Sequence, residues 1–105
     1  MEPIGAPSAA EISQAIVVWT GWGSTNRPVR EEHQLVGHFG DERARDLLPI
    51  MRRLEDEFYE SDARFTVADL AEMGDKAASR FRELHPELTQ DAIEALAWCY
   101  SYDFK

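Results

Sequence analysis

The sequence predicts an all-α protein, a compact single-domain bundle of about five short helices. Apolar residues recur at intervals of three and four positions in five segments, and capping or helix-breaking residues bound each segment. No run of alternating apolar and polar residues is long enough to predict a strand. The helical domain is expected to span residues 8–105, after a flexible lead-in at residues 1–7 that contains two prolines and a glycine.

The first helix is predicted from its caps. Ser8 and Glu11 have the spacing of a capping box, and Gly21 is expected to end the helix in a left-handed conformation. The inward-facing stripe consists of Ile12, Ala15, Ile16 and Trp19. Val17 lies off this stripe, and Trp22 occupies the position from which a Schellman motif makes its hydrophobic contact. We therefore expect Trp22 to pack back onto Val17, which gives it a structural role.

The second and third helices are predicted on either side of a glycine. The second runs from Pro28 to Phe39 and is ended by Gly40. The third runs from Asp41, its expected cap, to about Tyr59, and is broken or kinked near Pro49. Alternatively, Asp46 caps the third helix, which places Pro49 in the first turn, where its missing N–H costs little. Its apolar face consists of Leu47, Ile50, Met51, Leu54 and Phe58.

The fourth helix, from Thr66 to Leu84, is expected to organise the bundle, because its amphipathic pattern persists for about five turns. Thr66 and Asp69 are the expected N-terminal cap, and His85-Pro86 is the expected end. Its apolar face consists of Val67, Leu70, Gly74, Ala77, Ala78, Phe81 and Leu84. The small residues around Gly74 predict that another helix approaches this one closely.

The fifth helix is predicted to follow Thr89, which can cap its first turn. Its core face consists of Ile93, Leu96, Ala97 and Tyr100, with Phe104 one turn further on. Just before the fourth helix, Phe65 is expected to be buried beside Phe58.

The charge of the chain restricts the classes of partner. There are 20 acidic and 11 basic residues, giving a formal net charge of -9, which repels phosphate backbones and favours a basic protein partner over nucleic acid. No apolar run approaches the ~20 residues that a membrane span needs, and the N-terminus lacks the order of a secretory signal. A cytoplasmic location is expected. Nine of the basic residues are arginine, which is typical of bacterial genomes rich in G and C.

The sequence predicts no catalytic residue, metal site or cofactor. None of its three histidines belongs to a Glu-x-x-His or H-E-x-x-H motif. The segment Gly21-Trp22-Gly23 follows a helix and lacks the third glycine and the lysine of a phosphate-binding loop. The single cysteine, Cys99, lies near the C-terminal end of a helix, where the dipole disfavours a thiolate. We expect it to be a packed thiol.

Two groups of residues are candidates for a partner-binding surface. The first is the acidic run Glu55, Asp56, Glu57 and Glu60. Arg52 and Arg53 can pair with Asp56 and Glu57 at i,i+4 spacing, so the run is either a surface for a basic partner or an ordinary solvated helix face. The second candidate is the aromatic pair of Trp98 and Tyr102. These rings either form an interface centre or lie in the core, if the last helix is covered on both sides.

Three functional hypotheses remain open at this point. The leading one is a small acidic protein-binding module, such as an immunity or antitoxin protein that masks a basic partner. The alternative is a small helical enzyme or ligand carrier with an inter-helix pocket that contains Tyr59, His85 or Tyr100. A helix-turn-helix regulator is the third, although acidic residues interleave with the arginines that it would use, Arg43, Arg45, Arg52 and Arg53. The oligomeric state is left open.

Overall fold

The computed structural model describes residues 7–67 and 69–104 of the chain. Within these residues it contains five helices of eight residues or more, one further helical turn and no strand, so the predicted all-α bundle is confirmed. The elements are α1 (Ala9–Thr20), α2 (Glu32–Phe39), α3 (Asp41–Phe58), α4 (Ala63–Thr66), α5 (Leu70–Leu84) and α6 (Gln90–Asp103). Apart from Pro7, the predicted N-terminal lead-in lies outside the described residues.

Helix α1 has the predicted caps but not the predicted Schellman motif. The hydroxyl of Ser8 accepts a hydrogen bond from the N–H of Glu11 at 3.1 Å, and Gly21 is left-handed with φ +81°. The N–H of Gly21 donates to the carbonyl of Val17 at 3.0 Å, which is the simpler αL motif. The N–H of Trp22 donates instead to the hydroxyl of Thr20, the last helical residue. This side-chain bond replaces the second backbone bond of the predicted motif.

Helix α2 begins four residues later than predicted, at Glu32 instead of Pro28. The segment before it folds back along the end of α1, because the N–H groups of Val29 and Arg30 donate to the carbonyls of Thr20 and Trp19. These bonds satisfy two carbonyls that the end of α1 leaves open, and they hold the segment out of the helix. Gly40 ends the helix as predicted.

Helix α3 runs through Pro49 without interruption, so the predicted break and the alternative start at Asp46 are both wrong. The proline removes the hydrogen bond to the carbonyl of Arg45, but both residues are exposed, so water can replace the bond. Asp41 is the first helical residue, and Gly40 occupies the cap position. The residues expected on the inner face are buried or half-buried: Leu47, Ile50, Met51, Leu54 and Phe58.

Helix α5 is shorter at its start than predicted. It begins at Leu70, and the carboxylate of Asp69 caps it by accepting the N–H groups of Ala71 at 2.8 Å and Glu72 at 3.1 Å. Thr66 belongs instead to the preceding turn α4, where its hydroxyl donates to the carbonyl of Asp62 at 3.4 Å, so it is not placed to cap α5. As a result Leu70 lies at the end of the apolar face and is 45% exposed. The predicted stop at His85-Pro86 is confirmed.

The prediction for Phe65 is wrong, since its side chain is 76% exposed. Phe58 packs instead against Phe81 and Tyr100, with ring centroids 5.0 and 5.7 Å apart. These rings fill the space beside Phe58, and Phe65 lies on the single turn α4, where the guanidinium of Arg64 covers its ring at 4.5 Å.

Helix α5 does not organise the bundle as expected, because among the described residues it packs against α3, α4 and α6 but not against α1 or α2. Helix α6 packs against α1, α3 and α5, and so joins α5 to α1. The predicted close approach involves α5 and α6. A Cβ atom built on Gly74 would lie 2.8 Å from the hydroxyl oxygen of Ser101, so α5 and α6 are close enough there that an added methyl group would displace that hydroxyl. This contact lies beneath a surface groove between the two helices.

Candidate functional site

A groove of about 450 Å³ lies on the surface between α5 and α6. Its lining includes small residues from both helices, which we call the floor: Ala71 and Gly74 on α5 and Ala97 on α6. Leu70, at the N-terminal end of α5, adds a half-exposed apolar side chain to the lining. The amphipathic pattern placed these small residues at a helix contact, and the structure leaves part of that contact uncovered.

Two tryptophans line the same groove. Trp98 comes from α6 and Trp22 from the loop after α1, and their ring centroids are 5.4 Å apart with planes tilted by 59°. Both side chains are half-buried, so Trp98 is neither a core residue nor a free surface residue. Tyr102 is 36% exposed and lies outside this groove. The structure thus places the ring of Trp98 against that of Trp22. The sequence pattern had predicted that Trp22 packs onto Val17.

Two carboxylates lie at the groove, and neither has a cationic partner among the described residues. Asp75, on α5, is exposed, and its carboxylate has no hydrogen bond or ion pair with that part of the chain. Within the described residues, the carboxylate of Glu94, on α6, accepts a hydrogen bond only from the side-chain amide of Gln90, at 3.2 Å. Sequence analysis missed both residues. The available signals were that Asp75 follows Gly74 directly and that Glu94 lies one helical turn before Trp98.

The acidic run, which lies at the end of α3 and in the turn after it, is largely compensated within the protein. Glu55 binds Arg30 at 3.0 Å, Glu57 binds the ring of His85 at 2.6 Å, and Glu60 lies 3.9 Å from the guanidinium of Arg80. Asp56 is exposed and has no such partner in the described residues.

The local pairs predicted for Arg52 and Arg53 are not formed in the described part of the chain. His85, from a distant segment, binds Glu57, which the i,i+4 rule assigned to Arg53, and Arg30, also distant in sequence, binds Glu55. At three of the four positions, the run therefore has less uncompensated charge to offer a partner than its sequence indicated.

Arg30 forms a second polar cluster, on the segment that precedes α2. Its guanidinium donates two hydrogen bonds to Asp103, at 2.6 and 3.0 Å, and one to the hydroxyl of Tyr59 at 3.1 Å. The Tyr59 hydroxyl donates to Asp103 at 2.6 Å. Burial alone would raise the pKa of Asp103, but the bonds from Arg30 and Tyr59 outweigh it and lower that pKa. The cluster joins the loop to the ends of α3 and α6, which is a structural role.

The residues expected in an enzyme or carrier pocket are also bonded within the fold. The hydroxyl of Tyr100 donates to the carbonyl of Ser61 and accepts the N–H of Arg64, both at 3.0 Å. His85 is held between Glu57 at 2.6 Å and Glu87 at 3.1 Å. Burial lowers the pKa of His85, and these two carboxylates raise it by more.

Cys99 is fully buried, as predicted for a packed thiol. Burial raises the pKa of its thiol to about 12, which suppresses the thiolate that a nucleophile requires. In residues 7–67 and 69–104, no three metal-ligating side chains lie together in a group that could hold an ion.

No protein-family model, curated protein or solved structure matches this chain. None of the described helices combines the length and the apolar character that crossing a bilayer requires. The function is therefore inferred from the groove and its charges.

Proposed function

We propose that this chain is a protein-binding module that takes a basic partner in the groove between α5 and α6. The observation that carries the proposal is the pair of carboxylates, Asp75 and Glu94, beside an apolar groove that contains two tryptophans. Large aromatic side chains supply contact area at interface centres, and carboxylates without an internal cation can pair with arginine or lysine. In the acidic run, by contrast, only Asp56 is without a cationic partner among the described residues.

The net charge of -9 supports the same class of partner, because it attracts basic proteins over long range. An immunity or antitoxin protein that masks a basic toxin in the bacterial cytoplasm is the role that we propose for such a module. Asp56 and Tyr102, which are both exposed, extend the proposed partner-binding surface beyond the groove.

The experiment compares two double variants with the same change in charge. Asp75→Asn/Glu94→Gln neutralises the groove, and Glu83→Gln/Asp91→Asn neutralises two carboxylates that lie outside it on the same two helices. A partner is first captured with the wild-type protein and identified. Its association rate is then measured with all three forms at low and high salt.

We expect the groove variant to associate several-fold more slowly than the control variant at low salt, with a difference that shrinks as salt screens the charges. Equal rates for the two variants would refute the groove as the binding site. Asp56→Asn tests the acidic run separately. The single variant is used because neutralising all four residues of the run would also break the pairs that Glu55 and Glu57 make with Arg30 and His85.

A further inference from the structure

We infer that the segment entering the groove is a short amphipathic helix of the partner, with arginine or lysine on both sides of its apolar stripe. This inference rests on the proposed function and names the structure that the partner must present. It follows from the floor of the groove, from the hydrogen bonding of its walls and from the position of its charges.

The floor of the groove allows a close approach. Ala71, Gly74 and Ala97 place no long side chain between an incoming element and the backbones of α5 and α6. Along α6 the lining runs from Glu94 to Ser101, about two helical turns or roughly 10 Å at 1.5 Å per residue. A helix that lays apolar residues at i, i+3 or i+4, and i+7 into the groove matches this length.

The hydrogen bonding of the walls favours a helix over an extended peptide. Both walls are helices whose backbone groups along the groove are bonded inside the helices themselves. An extended segment would find no free sheet edge there, so its own N–H and C=O groups would lose water against an apolar floor without gaining partners. A helix satisfies its backbone internally and avoids this cost.

The charges favour a basic partner over a second copy of this chain. Asp75 lies on α5 and Glu94 on α6, so a helix between them meets a carboxylate from each wall. A symmetric dimer through this groove would bring the same two carboxylates of both copies together without a cation. Arginine or lysine at both edges of the apolar stripe satisfies the two carboxylates.

The probe is a synthetic peptide of about 15 residues, long enough to form a helix on binding, with leucines at helical spacing flanked by arginines. One control peptide has glutamates in place of the arginines. Another has the same composition rearranged to alternate with the period of a strand. Binding is followed through the fluorescence of Trp22 and Trp98, and the helix content of the bound peptide through circular dichroism.

We expect the helical basic peptide to bind and to gain helix content. Asp75→Asn/Glu94→Gln should weaken binding about tenfold at low salt, with no change for Glu83→Gln/Asp91→Asn. Ala71→Arg should abolish binding, because it fills the floor and adds a positive charge. Ser79→Arg, which adds the same residue at an exposed position of α5 outside the groove lining, should not.

Binding of the alternating or the glutamate peptide with equal affinity would overturn the inference, as would binding that Ala71→Arg leaves intact. A dimer of the free protein that Ala71→Arg dissociates would also overturn it in favour of a second copy. If the captured partner needs Asp75 and Glu94 but the helical peptide neither binds nor competes, the inference fails and the proposed function stands. If the peptide binds but the partner associates equally fast with the wild-type protein and with Asp75→Asn/Glu94→Gln, the proposed function fails instead.

Discussion

Replacing Gly74 with alanine measures how closely α5 and α6 approach each other. The added Cβ would lie 2.8 Å from the hydroxyl oxygen of Ser101, a distance that requires one of the two to move. The next nearest atom, the carbonyl oxygen of Ala97, is 3.9 Å away and in ordinary contact. The obstruction is therefore one hydroxyl at the end of a side chain, and a second substitution can remove it.

The two opposing effects of Gly74→Ala are of similar size. Alanine is favoured over glycine inside a helix by about 1 kcal/mol. Forcing the Ser101 side chain away from its preferred rotamer costs about 0.5–1.5 kcal/mol. The single variant should therefore unfold at nearly the wild-type temperature. In a Ser101→Ala background the hydroxyl is gone, and the same change should stabilise the protein by about 1 kcal/mol.

The assay is a double-mutant cycle from urea and thermal unfolding of the four proteins. For a domain of this size 1 kcal/mol corresponds to a shift of roughly 4 °C in Tm. The coupling between the two positions should be about 0.5–1.5 kcal/mol. If Gly74→Ala has the same effect with and without the Ser101 hydroxyl, the predicted steric conflict does not exist.

Three further predictions concern the cap of α1, the Arg30 cluster and the thiol. Gly21→Val should lower the free energy of unfolding by well over ~1 kcal/mol, because Gly21 has φ +81° and a Cβ there would lie 2.5 Å from the Thr25 hydroxyl. An unchanged urea midpoint would contradict this prediction. The ionised carboxylate of Asp103 contributes stability that is fully present above about pH 4 and is lost as the pH falls through its lowered folded-state pKa. Because Arg30 helps to lower this pKa, Arg30→Gln should raise it in an NMR titration. A constant Asp103 pKa would show that Arg30 does not set it. Cys99 should react with a thiol reagent only as fast as the protein opens, whereas immediate reaction would place the thiol at the surface.

The helix caps were largely predictable because a cap is a local interaction. Ser8 and Thr89 each accept an N–H three residues further along the chain, and Gly21 is left-handed as its position indicated. The start of α5 was misplaced because two capping residues, Thr66 and Asp69, compete within four positions. Only the geometry of the preceding turn decides between them.

The candidate site was less predictable because its parts come from distant segments. Trp22 and Trp98 meet only when α6 packs against α1, and no spacing rule connects them. Glu55 was assigned to a surface run, but Arg30 reaches it from a segment folded over the end of α1. Helical periodicity predicts which face of a helix is apolar. It does not predict which neighbouring helix leaves part of that face uncovered.

The packing of α6 against α1 affects how the protein folds as it is synthesised. Helix α1 packs against α6, near the C-terminal end of the described residues, as well as against α2 and α3, and the hydroxyl of Ser13 accepts the N–H of Thr89 at 3.0 Å. The roughly 80 residues between Trp19 and the end of α6 take about 4–16 s to translate at 5–20 residues per second. During that time the part of α1 that α6 covers stays exposed on the nascent chain, and chaperones that recognise apolar segments can bind it. Rapid translation of the second half of the message would shorten this exposure.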